Sequence, residues 1–234
     1  MNDKATAPMS GRSQPDRAAV LRDRRLAVIQ NALATAMMSR VRDARTGAAE
    51  FERLASELAG LALWTACRDL ALVESTVPGF AANQIRAHEL TERIAGVVIL
   101  RAGLVFTSPF RRLLPDAPLH QVGVRRDERT LAASVYTHNL PNRKAWADRV
   151  LILDPMLATG GSAVSTIALV RSSHEGPIDV VSLIAAPVGV ATVLAVDAGC
   201  RVHTVALDDR LDERGYIEPG LGDAGDRAFG TLQY

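Results

Sequence analysis

Residues 154–162 carry the strongest chemical signal in the sequence. The segment reads Asp-Pro-Met-Leu-Ala-Thr-Gly-Gly-Ser and directly follows an apolar run at 150–153. Glycines let a backbone turn tightly and approach a ligand closely, because they carry no Cβ. A helix that starts at such a turn offers backbone N–H groups and the positive end of its dipole to a phosphate. We therefore predict a strand, a phosphate-binding loop and a helix, with the apolar spacing of the helix starting at Ser162.

The side chains of this loop suit a sugar phosphate. Thr159 and Ser162 supply hydroxyl donors, and Asp154 at the predicted strand tip can accept hydrogen bonds from sugar hydroxyls. We expect Gly161 to be the glycine at which a side chain would clash with the ligand or strain the backbone. The loop is not a Walker loop, because it lacks the Gly-Lys-Ser/Thr ending. An ordinary strand-to-helix turn is the alternative that the motif alone leaves open.

Apolar runs and helical spacing indicate the elements that position this loop. Runs of branched apolar residues predict buried strands, at 94–100, 119–124, 150–153, 178–186 and 202–207. Periodic apolar faces predict helices, at 26–41, 48–70, from 162 onward and at 188–197. We predict a protruding hairpin strand at 131–140, and an irregular connector or an arm over the sheet at 71–94. The alternation predicts an α/β fold, a doubly wound and mostly parallel sheet with flanking helices and a protruding β-arm.

Length and composition narrow the class of protein. The 234 residues suit one domain, which we place at 26–234, after an arm at 1–25 that is mobile or loosely docked. With 27 basic and 26 acidic residues, nothing in the charge indicates a nucleic-acid or membrane partner. Cys67 and Cys200 lie far apart without a metal-ligand pattern, which predicts reduced thiols in a cytoplasmic protein.

Arginines follow two of the predicted strands. Arg101 comes directly after the strand at 94–100, and Arg126 lies in the Arg-Arg-Asp-Glu-Arg turn after the next strand. Open α/β sheets bind ligands beyond the carboxyl ends of their strands, and right-handed crossovers bring the strand tips at 101, 125 and 154 to one edge. Pattern alone leaves open that these arginines are surface charges.

The C-terminal segment 215–231 is the second specific signal. It reads Gly-Tyr-Ile-Glu-Pro-Gly-Leu-Gly-Asp-Ala-Gly-Asp-Arg-Ala-Phe-Gly-Thr, and its glycines satisfy G-x-G-x-x-G. A dinucleotide site is excluded, because no apolar strand precedes the glycines and too few residues remain for a helix and a second strand. A glycine-rich tail loop is the other interpretation from residues alone.

These motifs together resemble the phosphoribosyltransferases, and the uracil phosphoribosyltransferase branch in particular. The resemblance extends from about residue 36 to 231 and is most specific at 150–162 and 206–231. It implies transfer of ribose 5-phosphate from phosphoribosyl diphosphate to uracil, which gives UMP and diphosphate. It also implies Mg²⁺ carried by the phosphoribosyl diphosphate, as Mg²⁺ favours phosphate oxygens, and a homo-oligomer, a dimer or tetramer.

The resemblance assigns roles to individual residues. Catalysis would involve Asp223, Arg101 and Arg126. Phosphoribosyl diphosphate would contact those three residues together with the whole loop: Asp154, Pro155, Met156, Leu157, Ala158, Thr159, Gly160, Gly161 and Ser162. The C-terminal segment would be a base-binding loop that reads uracil, largely through its main chain, with Tyr216, Ile217, Gly222, Asp223 and Ala224. The partial match at 41–46 gives Arg42 a structural or phosphate-side role.

Several positions depart from the wording of that family. They are Val105, Phe106, Ser108 and Pro109 after the Arg101 strand tip, Glu52 on the second helix, and Asn139 where a lysine is usual. Two alternatives therefore stay open. One is the same chemistry on a different nucleobase, and the other is a nucleotide sensor that binds but does not turn over.

Overall fold

The fold is built on one eight-stranded, mostly parallel sheet in the computed structural model, which describes residues 14–81, 83–126 and 133–231. In chain order the strands are β1 (Leu26–Val28), β2 (Leu72–Pro78), β3 (Gln84–Leu90), β4 (Ile94–Leu100), β5 (Leu119–Arg126), β6 (Ala133–His138), β7 (Arg149–Leu153), β8 (Met156–Leu157), β9 (Ile178–Ala185), β10 (Cys200–Leu207), β11 (Arg210–Leu211) and β12 (Ile217–Glu218). The helices are α1 (Arg17–Val20), α2 (Ala32–Arg42), α3 (Ala48–Ala66), α4 (Thr107–Leu113), α5 (Gly161–Arg171), α6 (Pro187–Val196) and α7 (Ala224–Phe229), with a 3₁₀ turn at Ala102–Phe106.

The strand order confirms the predicted doubly wound arrangement. It runs β1-β10-β9-β7-β4-β5-β6, with β8 paired to β9, and β6 is the antiparallel edge strand beside β5. The central strands β7 and β9 are buried along their whole length, which matches their unbroken apolar sequence. Strands β4 and β7 are parallel neighbours, and Val98 pairs with Leu153, so the C-terminal ends of these two strands lie side by side.

Alternate strand residues divide the core into two layers. Val98, Leu151 and Leu183 face one layer, which the apolar sides of α2, α3 and α4 cover. Val97 and Ile152 face the other layer, under α5 and α6. Parallel sheets occur almost only where helices cover both faces, as they do here. No helix of the described residues is long and apolar enough to cross a membrane.

The prediction of one helix over 26–41 is wrong at its start. Leu26–Val28 instead forms an edge strand that pairs in parallel with β10, and α2 begins only after Asn31, whose side chain accepts a hydrogen bond from the N–H of Ala34. A three-residue apolar run fits helix and strand equally, and the distant partner strand decides between them. The second helix is confirmed, although it ends at Ala66 and not at 70.

For 71–94, the irregular connector is wrong, because the segment forms regular strands; the alternative of an arm over the sheet stays a prediction. Strands β2 and β3 form a regular antiparallel hairpin that pairs with no other strand of the described residues. Its side chains are mostly exposed on both faces, so the sequence shows no alternation of apolar and polar residues. The predicted strand in 131–140 is confirmed as β6, whereas residues 131 and 132 lie outside the described part.

The described part of the N-terminal arm contacts the body of the protein. The Gln14 amide exchanges hydrogen bonds of 2.9 and 3.0 Å with the backbone of Leu211, and the Arg17 guanidinium donates to the carbonyl of Leu207. Arg25 pairs with Asp23 and donates to the carbonyl of Leu194. The division of the chain at residue 25 stays a prediction.

Candidate active site

One cavity of about 630 Å³ opens at the C-terminal edge of the sheet. Three predicted segments line it: the loop after β7, the tip of β4 and the C-terminal segment. Of the predicted site residues, those on its wall are Arg101, Asp154, Met156, Leu157, Ala158, Thr159, Gly160, Gly161, Ser162, Tyr216, Ile217, Gly222 and Asp223. Of the strand tips predicted to converge at 101, 125 and 154, Arg101 and Asp154 line this cavity, whereas the third strand contributes Val124 and not Arg125. The C-terminal segment joins them from outside that argument.

The loop after β7 presents the start of α5 to this cavity. Gly160 precedes α5 in the left-handed region, with φ +83°, and its carbonyl accepts the first helical hydrogen bond from Val164 at 2.9 Å. Gly161, Ser162 and Ala163 form the first turn of α5 on the cavity wall. Backbone N–H groups at such a helix start bind anions. The predicted strand, glycine turn and helix are therefore present, and phosphate binding at this turn stays a prediction.

The conformationally demanding glycine is Gly160, and the expectation that placed the backbone strain at Gly161 is wrong. A Cβ at Gly160 would lie 3.0 Å from the carbonyl oxygen of Gly189 and 3.1 Å from Cβ of Thr192, in a backbone region that side chains rarely adopt. A Cβ at Gly161 would meet only ordinary contacts, the nearest at 3.5 Å, because Gly161 already belongs to the helix.

Pro155 lies behind the loop and is not on the cavity wall. Its carbonyl accepts hydrogen bonds from Leu183 and Ile184 at 3.1 and 3.0 Å, which attach the loop to β9. Pro155 therefore fixes the path of the loop through its backbone. Ala224 is likewise buried beside the cavity. Arg126 is the last residue of β5, and its side chain lies outside the described part.

Asp154 lies at the tip of β7, on the cavity wall. Burial raises the pKa of its carboxyl group to about 7, and the N–H of Met156, which donates to Oδ1 at 3.4 Å, opposes this only weakly. Ionisation of this carboxyl group is costly in the unliganded cavity. A ligand that donates hydrogen bonds to it would stabilise the ionised form. Sugar hydroxyls are such donors.

Arg101 extends from the tip of β4 into solvent at the mouth of the cavity. Its side chain is 61% exposed, and Nη2 donates to Oδ1 of Asp226 at 3.1 Å. Asp226 also accepts from the hydroxyl group of Thr231 at 2.7 Å. The guanidinium group has five N–H donors, so this contact leaves donors available to a ligand. Sequence reasoning missed Asp226, which stands 125 residues further along the chain.

The C-terminal segment forms a shaped loop on the opposite wall. Gly220 and Gly222 adopt φ of +65° and +78°, and the short helix α7 follows. Asp223 caps α7, because its Oδ1 accepts the N–H of Asp226 at 2.9 Å. Asp223 also lines the cavity. Tyr216 is 52% exposed, whereas Ile217 is buried. Three of the loop residues on the cavity wall are glycines, Gly215, Gly220 and Gly222, which leave their backbone groups uncovered by a side chain.

The departures from the family wording lie outside the cavity wall. Val105 and Phe106 are buried in the core between the sheet and α3, and Pro109 is buried against Gly60. Asn139 exchanges hydrogen bonds with Gln121 at the exposed edge of the sheet. Glu52 is exposed on α3, and Ser108 is on α4. These positions therefore lie in the core or on the surface, and none of them lines the cavity.

Sequence comparison connects this geometry to known proteins. The sequence profile of the uracil phosphoribosyltransferase family matches residues 28–231. A uracil phosphoribosyltransferase from Roseiflexus castenholzii is 41% identical over 204 residues, which cover 87% of this chain and 97% of that protein. One from Kineococcus radiotolerans is 41% identical over 213 residues, which cover 89% and 100%. A solved structure from Aquifex aeolicus has a TM-score of 0.81 and 32% identity, over 89% of this chain and all of that one.

Proposed function

Because the chain belongs to the uracil phosphoribosyltransferase family, we propose that it transfers ribose 5-phosphate from phosphoribosyl diphosphate to uracil. The observation that carries the proposal is one cavity lined by a helix start after a glycine turn, an arginine at a strand tip and a glycine-rich loop. These three walls match the three parts of the reactants: the 5′-phosphate, the diphosphate and the base. UMP and diphosphate would be the products.

The reaction breaks the bond between C1 of the ribose and the diphosphate oxygen, and joins C1 to N1 of uracil. The electron pair of the broken bond leaves with the diphosphate, and N1 loses its proton. Positive charge develops at C1 as the bond breaks, so positioning and stabilisation of the leaving group dominate the catalysis. We assign stabilisation of the diphosphate to Arg101, which lies at the cavity mouth, and to Arg126.

The remaining roles follow from the positions on the cavity wall. The start of α5, with Thr159 and Ser162, would hold the 5′-phosphate, and Asp154 would accept hydrogen bonds from the ribose hydroxyls. Backbone groups of 217–224 would read the carbonyl and N–H groups of uracil. Asp223, between this loop and the ribose side, is the group we propose to accept the N1 proton.

Mg²⁺ is proposed to arrive on the phosphoribosyl diphosphate. In the described part of the chain, no three His, Cys, Asp or Glu side chains lie close enough together to hold a metal ion. The cavity does contain the carboxylate groups of Asp154 and Asp223, hard oxygen ligands that fit Mg²⁺ alongside phosphate oxygens and water. When bound, the ion would neutralise part of the charge on the departing diphosphate.

The proposal is tested by incubating the purified protein with uracil, phosphoribosyl diphosphate and Mg²⁺, and measuring UMP and diphosphate in equal amounts. Cytosine, hypoxanthine and adenine serve as competing bases in parallel assays. Faster turnover of one of these bases would contradict the uracil assignment. Binding of UMP without any release of diphosphate would show a nucleotide sensor.

Asp154 gives the proposal a pH signature. Its carboxyl pKa of about 7 in the open cavity lies above the ordinary value of 3.8, so the unliganded fold favours the protonated form between these values. Protonation of Asp154 stabilises the fold fully below pH 3.8, and this stabilisation is lost as the pH rises through about 7. Ribose hydroxyls favour the ionised form, so binding of phosphoribosyl diphosphate should release a proton from Asp154 near neutral pH.

Calorimetry at pH 7 in buffers of different ionisation enthalpy measures that release. Asp154→Asn is expected to reduce it by up to about half a proton, since a group titrates halfway at its pKa. The phosphates of the ligand titrate equally in both proteins and cancel in the comparison. An unchanged proton count in Asp154→Asn would contradict a ribose contact at this carboxyl group.

The hairpin of β2 and β3 supports a homo-oligomer. An isolated two-stranded hairpin is only marginally stable in water. This one nevertheless exposes several large apolar side chains: Leu72, Val73, Val77, Phe80, Ile85 and Leu90. A second copy of the chain that covers them would remove that apolar surface from water. We infer that the hairpin contributes to subunit contact.

Sedimentation velocity is expected to give at least twice the chain mass of 25.1 kDa. The double variant Val73→Glu, Ile85→Arg should shift the protein toward the monomer, because charged groups at a covered apolar surface are costly to desolvate. Glu74→Lys, which changes the charge at a neighbouring exposed position and removes the ion pair with Arg86, is the control for a charge change away from these two apolar positions. A wild-type protein that sediments as a monomer would contradict the proposal.

The cytoplasmic location stays a proposal as well. Its support is that Cys67 and Cys200 form no disulfide, and that burial raises the pKa of their thiols to about 11 and about 12. Thiols with such pKa values stay protonated and react slowly.

A further inference from the structure

The base loop, residues 215–224, is held in place by buried and half-buried charged groups that do not line the cavity. Arg42, at the end of α2, donates from Nη1 to Oδ2 of Asp208 at 2.8 Å and to the carbonyl oxygen of Gly220 at 2.6 Å. Its Nη2 donates to the other oxygen of Asp208. The N–H of Gly220 donates to Oδ2 of Asp208 at 2.9 Å. Both backbone groups of Gly220 are therefore fixed.

Gly220 is a position where the loop has little freedom to rearrange. Its φ is +65°, and a Cβ there would lie 2.1 Å from the carbonyl oxygen of Ile217. The chain must fold back this tightly to bring Ile217 and Gly222 to the same cavity wall. Asp208 is 4% exposed, so its charge depends on Arg42 for compensation.

Arg227 holds the next residue of the base loop, Leu221, to the same turn. It is 8% exposed, and its Nη1 donates to the carbonyls of Leu221 and Val41 at 2.7 and 2.5 Å. Its Nη2 donates to the carbonyl of Asp43 at 2.7 Å, and its guanidinium group lies 4.4 Å from the ring centre of Phe51. Thus Arg42 and Arg227 attach Gly220 and Leu221, the two residues before Gly222, to the turn at 41–43.

We propose that Arg42, Asp208 and Arg227 are positioning residues for the nucleobase, acting through the backbone of the base loop. This inference rests on the proposed function. Recognition by backbone groups requires that these groups be fixed before the base binds. If the loop were flexible, its ordering on binding would cost free energy and weaken the affinity for the base. The phosphate loop is built separately, on β7, β9 and α5, so its affinity should not depend on these residues.

The test compares Arg42→Lys and Asp208→Asn with the wild type. Lysine keeps the charge but cannot hold Asp208 and Gly220 together as the guanidinium group does. Each variant is expected to raise KM for uracil about tenfold or more, since loosening a buried hydrogen bond costs on that order. KM for phosphoribosyl diphosphate should change less than about twofold. Arg210→Lys is the matched control, because Arg210 pairs with Glu218 on the same segment but is exposed.

The outcomes separate a positioning role from general stability. Equal changes in both KM values, or none, in variants with wild-type circular dichroism would overturn the proposal. If Arg42→Lys and Asp208→Asn do not fold, Arg227→Lys applies the same criterion to the loop at Leu221. If the wild type makes no UMP, the proposed function fails separately, and calorimetric affinity for UMP across the variants then decides whether these residues position the base.

Discussion

Replacement of Gly160 by valine is expected to abolish turnover and to lower the free energy of unfolding by about 1–3 kcal/mol. Gly160 lies in the left-handed region at φ +83°, which a β-branched residue adopts only with strain. Its added side chain would also press on Gly189 and Thr192. Relief of these contacts must move the first turn of α5, whose residues line the cavity.

Gly161→Ala is the matched control for that prediction. A Cβ at Gly161 has ordinary contacts, and alanine in a helix turn is favourable by up to about 1 kcal/mol. The melting temperature of Gly161→Ala should therefore equal or exceed that of the wild type, while that of Gly160→Val falls. Diphosphate release and thermal melting, with and without phosphoribosyl diphosphate, are the measurements. A folded Gly160→Val protein with near wild-type turnover would remove the phosphate loop from the proposed site.

Replacement of Arg101 by alanine is expected to lower kcat/KM for phosphoribosyl diphosphate about a hundredfold or more, as loss of a donor to developing negative charge does in other enzymes. The fold should be unaffected, because the side chain is 61% exposed and pairs with Asp226 at the surface. Exposed ion pairs contribute little to stability, about 0–1 kcal/mol. Steady-state kinetics and thermal melting measure the two effects.

Arg93→Ala provides a control at the opposite end of the same strand. Arg93 directly precedes β4, is 60% exposed and also pairs with a carboxylate, Asp148. Its removal should leave kcat/KM unchanged, because the N-terminal edge of a parallel sheet is remote from the ligand edge. Loss of folding in Arg101→Ala with normal kinetics of the remaining folded protein would show that Arg101 is structural.

The features that the sequence determines are those encoded in contiguous residues. The apolar run at 150–153 with the glycines that follow it specifies strand, loop and helix, because backbone preference and hydrophobic period act over a few neighbours. The strand-tip argument also predicts that Arg101 and Asp154 meet at one cavity. The motif at 215–231 also predicts a loop that reaches this cavity, but it does not predict the short helix α7.

Tertiary structure decided the features that depend on distant partners. The pairing of β1 with β10 turned a presumed helix start into a strand, and the exposed hairpin of β2 and β3 has no apolar period to reveal it. The position of Gly160 against Gly189 and Thr192, and not its place in the motif, selects the glycine that cannot be replaced.

Dependence on distant partners also explains why the sequence does not predict the ion pairs of Arg42 and Arg101. Arg42 and Asp208 are 166 residues apart, and Arg101 and Asp226 are 125 residues apart. An arginine or aspartate in a sequence has the same local signature whether it faces solvent or a buried partner. Only the packing of α2 and the base loop around the sheet edge removes water from Asp208, and burial is what makes its pairing with Arg42 necessary.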